Sequence, residues 1–109
     1  MDEPIFRSFS DIPPKEILSG FWAQAIHTAG NTINFISVKA GSAFPVHQHM
    51  HHQCAFVLEG EFEMTIEGAT KVLKPGFFVV IPGNIPHSGR AITDCRLVDI
   101  FNPVREDYK

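Results

Sequence analysis

Apolar residues in this chain come in short stretches rich in Phe, Val, Ile and Thr, each closed by a turn signal. In the second half the punctuation is Glu59-Gly60-Glu61, Glu67-Gly68-Ala69, Pro75-Gly76, Pro82-Gly83-Asn84 and Ser88-Gly89. No stretch sustains a period of 3.6 residues over three turns, which argues against long helices. Many short strands with turns at nearly even spacing predict an all-β sandwich or barrel. The predicted strands are 5–9, 21–27, 31–39, 43–49, 53–59, 61–67, 69–73, 77–81, 85–92 and 95–102. Asp11 to Leu18 contains Pro13 and Pro14, so it fits either one helical turn or an extended arm.

Side chains alternate between the two faces of a strand. Gln53, Ala55 and Val57 therefore share one face, and Leu97, Asp99 and Phe101 share another. An Asp on a face with Leu and Phe is costly to bury unless it has a partner or a task.

The bulk numbers remove several classes of function. The chain has 109 residues, enough to bury one core, and neither a linker nor an internal repeat divides it. The net charge is −3, and no segment carries a run of Lys or Arg, so nucleic acid and anionic membranes are poor partners. The opening Met1-Asp2-Glu3-Pro4 is acidic where a secretory signal needs Lys or Arg. The longest apolar run near the middle, Phe77 to Ile81, is far short of a bilayer span. The expected location is the cytoplasm, with Cys54 and Cys95 as free thiols.

Six histidines change the picture, because four of them fall between His47 and His52. His47 and His49 are two apart and on a strand would face one side. Two such imidazoles can converge on one divalent ion, although an exposed polar hairpin explains the pair equally well. A catalytic ion needs a further ligand and an open position. His87, which follows the turn Pro82-Gly83-Asn84, is the natural candidate. His51 and His52 are expected in a loop, and the lone His27 is expected to be satisfied locally or exposed.

The glycines turn these hints into an ordered pattern. Gly41, five residues, His47, Gln48, His49, three residues, Gln53, six residues and Gly60 form one series. Gly76, five residues, Pro82 and then His87 form a second. Together they resemble the two motifs of the cupin superfamily, over 41–60 and 76–91. The resemblance implies a single-domain cupin over 1–109, a double-stranded β-helix or jelly-roll barrel, with 1–20 as an N-terminal arm. It also implies one divalent transition-metal ion per chain (Ni, Zn, Mn or Fe), held by His47, His49 and His87 with Gln53 as fourth ligand. The chain departs from the usual motifs in having Gln53 for Glu, Asn84 for Gly and Phe77 for Asp. Asn tolerates a left-handed backbone, so the turn can survive. An amide in place of a carboxylate leaves the ion its full charge, hence more Lewis-acidic and less tightly bound.

The C-terminal stretch from Leu97 to Tyr108, taken with His47, His49, Gln53 and His87, is similar to the KdgF-type cupins of pectin and alginate catabolism. In those cupins a strand Asp, a Phe two residues on and an Arg four beyond it lie at the metal site, matching Asp99, Phe101 and Arg105. The resemblance implies an enzyme that helps unsaturated uronates open to linear keto forms. Asp99 would shuttle a proton, Arg105 would hold a substrate carboxylate and Phe101 would form an apolar wall. An iron-dependent dioxygenase and a non-enzymatic small-molecule binder are the alternatives. Cupins often pair as homodimers, a contact that Phe6 and Phe9 of the arm would suit.

Overall fold

The alternation of apolar and polar residues places a row of inward side chains on nearly every strand, and two sheets close over them. The computed structural model describes residues 4–109. Met1–Glu3, the start of the expected arm, lie outside the described residues. Ten strands form: β1 Lys15–Leu18, β2 Phe21–His27, β3 Thr32–Val38, β4 Ala43–His47, β5 His52–Glu59, β6 Phe62–Ile66, β7 Ala69–Leu73, β8 Phe78–Ile81, β9 His87–Ala91 and β10 Cys95–Asn102. One sheet has the order β1-β2-β3-β10-β5-β8, and the other β4-β9-β6-β7. Every pairing is antiparallel, and the described residues include no α-helix. The core between the sheets includes Phe21, Ile36, Val38, Val57, Phe62, Met64, Ile81 and Leu97.

Two features depart from the sequence reading. The expected strand at 5–9 does not form. Phe9–Asp11 is instead a 3-10 turn, capped by the Ser8 hydroxyl, and the first strand is Lys15–Leu18, just past the two prolines. Proline has no N–H for a ladder, so pairing starts only after Pro14. The second departure is that β4 ends at His47, leaving His49 outside the strand.

Register in the six-stranded sheet sorts its inward face into rows. Thr32, Phe101, Gln53 and Ile81 lie side by side across β3, β10, β5 and β8. Asn34, Asp99, Ala55 and Val79 form the next row. Ile36, Leu97 and Val57 follow, and then Phe21, Val38 and Cys95. The two rows at one end therefore carry every buried polar side chain of this sheet, and the rest is hydrocarbon apart from the Cys95 thiol. Both cysteines are free thiols, Cys95 in the core and Cys54 outside it.

Candidate metal centre

The first histidine reaches the interior through an irregularity in β4. Phe44 pairs with Gly89 and His47 with His87, so three steps on β4 match two on β9. An odd separation would ordinarily send Phe44 and His47 to opposite faces. The extra residue, next to Pro45, restores both to the inside and is a local bulge. The ring of Phe44 then fills the space over Gly89, where a Cβ would collide with Phe44 and Phe62.

His49 arrives by a different route. It sits in the loop after β4, and that loop is held by the Pro82-Gly83-Asn84 turn. The Asn84 N–H donates to the His49 carbonyl at 2.7 Å. Asn84 adopts φ +62°, the left-handed conformation that Asn accepts readily. At Gly83 a Cβ would run into the Met50 carbonyl, so only glycine lets the two loops approach. His87 opens β9 and is almost wholly buried.

The three rings converge. The centroids of His47 and His87 are 4.6 Å apart, those of His49 and His87 5.0 Å, and those of His47 and His49 5.5 Å. One ligand nitrogen from each lies within 4.8 Å of the others. Backbone carbonyls select the tautomers. His87 Nδ1 donates to the Ile85 carbonyl at 2.8 Å, and His49 Nδ1 donates to the His51 carbonyl at 3.0 Å. In the neutral rings both Nε2 atoms are therefore bare acceptors aimed inward. The Nε2 of His87 lies 3.0 Å from Nε2 of His47, and that of His49 lies 3.2 Å from the Gln53 Oε1.

Charge follows the same logic. His47 is exposed along one edge, but its Nε2 end abuts buried His87. Burial, followed by repulsion from His87 and His49, pulls its pKa down to about 4. Burial and then Arg105 lower that of His49. At neutral pH these rings are unprotonated, the form that ligates metal. A lone pair facing a carbonyl oxygen at hydrogen-bond distance is repulsive unless a cation lies between them. The donor set of three imidazoles and one amide oxygen thus fits a divalent first-row ion.

The other predicted residues surround this centre. Asp99 and Phe101 are buried on β10, in the two polar rows. Burial pushes the Asp99 carboxyl up to about 6, while hydrogen bonding from Gln53 and the charge of Arg105 act in the opposite direction. Arg105 is also buried, with its guanidinium 4.7 Å from the Phe101 ring centroid and 4.3 Å from that of Tyr108. The pairing with Asp107 is bidentate: Nε donates at 3.0 Å and Nη2 at 2.8 Å. One edge of the fork is therefore taken by the chain itself, and Nη1 is not part of that pair. His47, His49, Gln53, His87, Asp99, Phe101, Arg105 and Tyr108 line one cavity that opens to solvent.

Other residues emerge only with the structure. Asn34, fully buried beside Asp99, leaves both amide atoms without a partner. Its place on one face with Ile36 and Val38 is the same signal that singled out Asp99. Tyr108 lines the cavity from the tail, where nothing in the local sequence marks it. His52 is exposed at the start of β5, outside the trio. His51 is likewise outside it, with Nε2 donating to the Val104 carbonyl at 3.3 Å. His27 Nδ1 bonds the Thr32 hydroxyl at 2.9 Å.

Two antiparallel sheets closing over a histidine trio define a class of metal-binding β-barrel, and the cupin domain model matches residues 34–101, so the chain belongs to the cupin family. It is similar to L-ectoine synthase of Streptomyces anulatus, at 31% identity over 95% of this chain and 89% of that protein. It is also similar to the pectin degradation protein KdgF of Dickeya dadantii, at 36% identity over 57% of this chain and 58% of that one. The solved structure of KdgF from Halomonas sp. superposes with a TM-score of 0.91 at 26% identity, covering 98% of this chain and all of that one. It is a KdgF-like small cupin.

The ligand set is tested by His87→Ala. Elemental analysis of the folded variant should show metal near background, with His27→Ala as a control that retains it. Wild-type metal content in His87→Ala would remove His87 from the set.

Proposed function

We propose that this cupin is a metal-dependent enzyme that opens a cyclic unsaturated uronate to its linear keto form. The observation that carries this reading is Asp99, a buried carboxyl lining the same cavity as the three convergent histidines. The full-length structural likeness to one KdgF, and the pectin-degradation role in the name of the Dickeya dadantii KdgF, support the substrate class.

A divalent ion held by His47, His49, His87 and Gln53 would supply Lewis acidity toward a substrate oxygen. The chain's own groups do the rest. Ring opening removes the proton of the anomeric hydroxyl and breaks the bond between the anomeric carbon and the ring oxygen. The ring oxygen leaves as an enolate, and a proton delivered to the neighbouring alkene carbon gives the ketone. No atom or electron is gained or lost beyond protons, so neither oxidant nor reductant is needed. Asp99 takes and returns the proton. Its pKa near 6 keeps both protonation states within reach at neutral pH. Phe101 and Tyr108 keep the guanidinium of Arg105 in the cavity wall, and Nη1, outside the pair with Asp107, would hold the carboxylate of the substrate.

A second reading has its own support. The L-ectoine synthase likeness runs along nearly the whole chain, which favours a synthase that forms L-ectoine in the same cavity. Turnover of an unsaturated uronate, measured by ultraviolet absorbance under nitrogen, separates the readings. Wild type with zinc should turn over without oxygen. Asp99→Asn should keep its fold and metal and lose about 10²–10⁴ in rate. Formation of L-ectoine with no uronate turnover would select the second reading, and strict dependence on O₂ would select a dioxygenase.

Arg105 is tested with a uronate and its neutral methyl ester. Arg105→Ala should lose far more kcat/KM on the acid than on the ester. It should also be less stable, because it empties the stack between Phe101 and Tyr108 and leaves Asp107 unpaired. Equal losses on both substrates would mean that Arg105 does not read the carboxylate.

We also assign the outer face of the six-stranded sheet to a second copy of the chain. Register there aligns Ile33, Ile100, Cys54 and Val80 in one row and Phe35, Val98, Phe56 and Phe78 in the next. Phe9 of the arm packs on Phe35 with ring centroids 4.8 Å apart, while Phe78 and Val80 stay more than half exposed. Contiguous apolar surface of this kind marks an interaction site. Sedimentation should show a dimer, and Val80→Lys should shift it toward monomer.

A further inference from the structure

The segment after β10, Pro103 to Lys109, runs back over the cavity and brings Arg105 and Tyr108 to its wall. Much of its bonding is internal. The Arg105 pair with Asp107, the Lys109 pair with Glu106 and the Tyr108 N–H to the Arg105 carbonyl tie the strap to itself. Its hydrogen bonds to the barrel are fewer. The Arg105 N–H donates to the Thr32 hydroxyl at 2.8 Å, and the Val104 carbonyl accepts from His51 Nε2 at 3.3 Å. The Arg105 guanidinium also rests on the Phe101 ring.

His51 belongs to both systems. Its carbonyl accepts the Nδ1–H of His49 and so sets the tautomer and ring orientation of a candidate ligand. Its ring holds the strap. The same ring lies edge-on to His49, with centroids 5.6 Å apart, and edge-on to Phe101 at 6.4 Å. Its remaining nitrogen, Nδ1, is buried without a partner. A side chain placed there only to fill space would carry no such unpaired atom. What the imidazole adds over an apolar ring is the Nε2 donor on its far side.

We propose that His51 is a positioning residue that couples the metal centre to the C-terminal strap. The proposal rests on the metal reading of the three histidines. With the strap docked, the bond to Val104 fixes His51, and the fixed carbonyl holds His49 with Nε2 toward the ion site. With the strap released, His51 loses that tether and the His49 ring loses its fixed acceptor. Coupling between two sites is reciprocal, so an ion that favours the fixed ring must also favour the docked strap. Partners that orient a ligating histidine in this way are worth about 10–100-fold in metal affinity.

Two variants isolate the ring from the carbonyl, which every residue at 51 retains. His51→Gln keeps a donor close to the position of Nε2, whereas His51→Phe keeps the ring and loses the donor. Zinc affinity is measured by chelator competition, and amide exchange at Arg105 and Tyr108 by NMR, with and without zinc. In wild type, zinc should slow exchange at both amides about 10-fold. His51→Phe should bind zinc about 10-fold more weakly and show strap exchange unchanged by zinc, and His51→Gln should recover both properties. If His51→Phe does not fold, the zinc dependence of strap exchange in wild type decides. Wild-type exchange unchanged by bound zinc overturns the coupling while leaving the metal reading intact. Equal zinc affinity in His51→Phe and wild type, or equal weakening in the Phe and Gln variants, overturns it as well. Failure of wild type to bind any of zinc, nickel, manganese and iron overturns the metal reading and this proposal together.

Discussion

Two backbone carbonyls decide what this barrel can do. Ile85 and His51 each accept an Nδ1–H, and the opposite nitrogen of each ring is thereby left as a lone pair pointing inward. An imidazole free to rotate or switch tautomers would satisfy itself with a neighbour. Held in this way, His87 and His49 present only acceptors, and Gln53 adds another. That end of the interior therefore presents unpaired acceptors. Burial and the positive groups nearby lower the pKa values of His47 and His49, so protons are a poor way to satisfy them. The loops, the bulge and the glycine contacts around the site serve to keep this arrangement fixed.

The arrangement depends on strand register more than on composition. Asp99 and Gln53 are near neighbours because β10 pairs with β5 in one register, and His47 faces His87 because β4 gains a residue against β9. A slip of one residue in either pairing would exchange inward for outward side chains and dismantle the site while leaving the sheet intact. The apolar rows at the other end, Ile36, Leu97, Val57, Val38 and Phe21, provide the packing that penalises such slips.

Much of this was legible in the sequence. Period-two alternation placed Gln53, Ala55 and Val57 on one face and Leu97, Asp99 and Phe101 on another, and all six are buried. The histidine and glycine spacing located the trio and the turn at Asn84. What stayed hidden is set by partners distant in the chain. The His47–His49 pair reads as two residues of one strand, but the strand ends at His47 and the second ring is delivered by a loop bonded to Asn84. The arm reads as a strand at 5–9 because it is apolar, yet the pairing forms after the prolines. Arg105 reads as a free fork, and only the docked tail shows that Asp107 takes one edge and two aromatic rings take its faces. Asn34 carried the same alternation signal as Asp99, but a lone amide among aliphatic residues has no charge to draw notice.

The row structure of the six-stranded sheet also acts as a depth gauge. Successive inward rows are two residues apart, about 7 Å along the strand. Polar groups occupy the Thr32–Gln53 row and the Asn34–Asp99 row, and the next row, at Ile36, Leu97 and Val57, offers nothing to bond. A ligand entering at that end would meet bonding partners over one such step, and beyond it only apolar side chains.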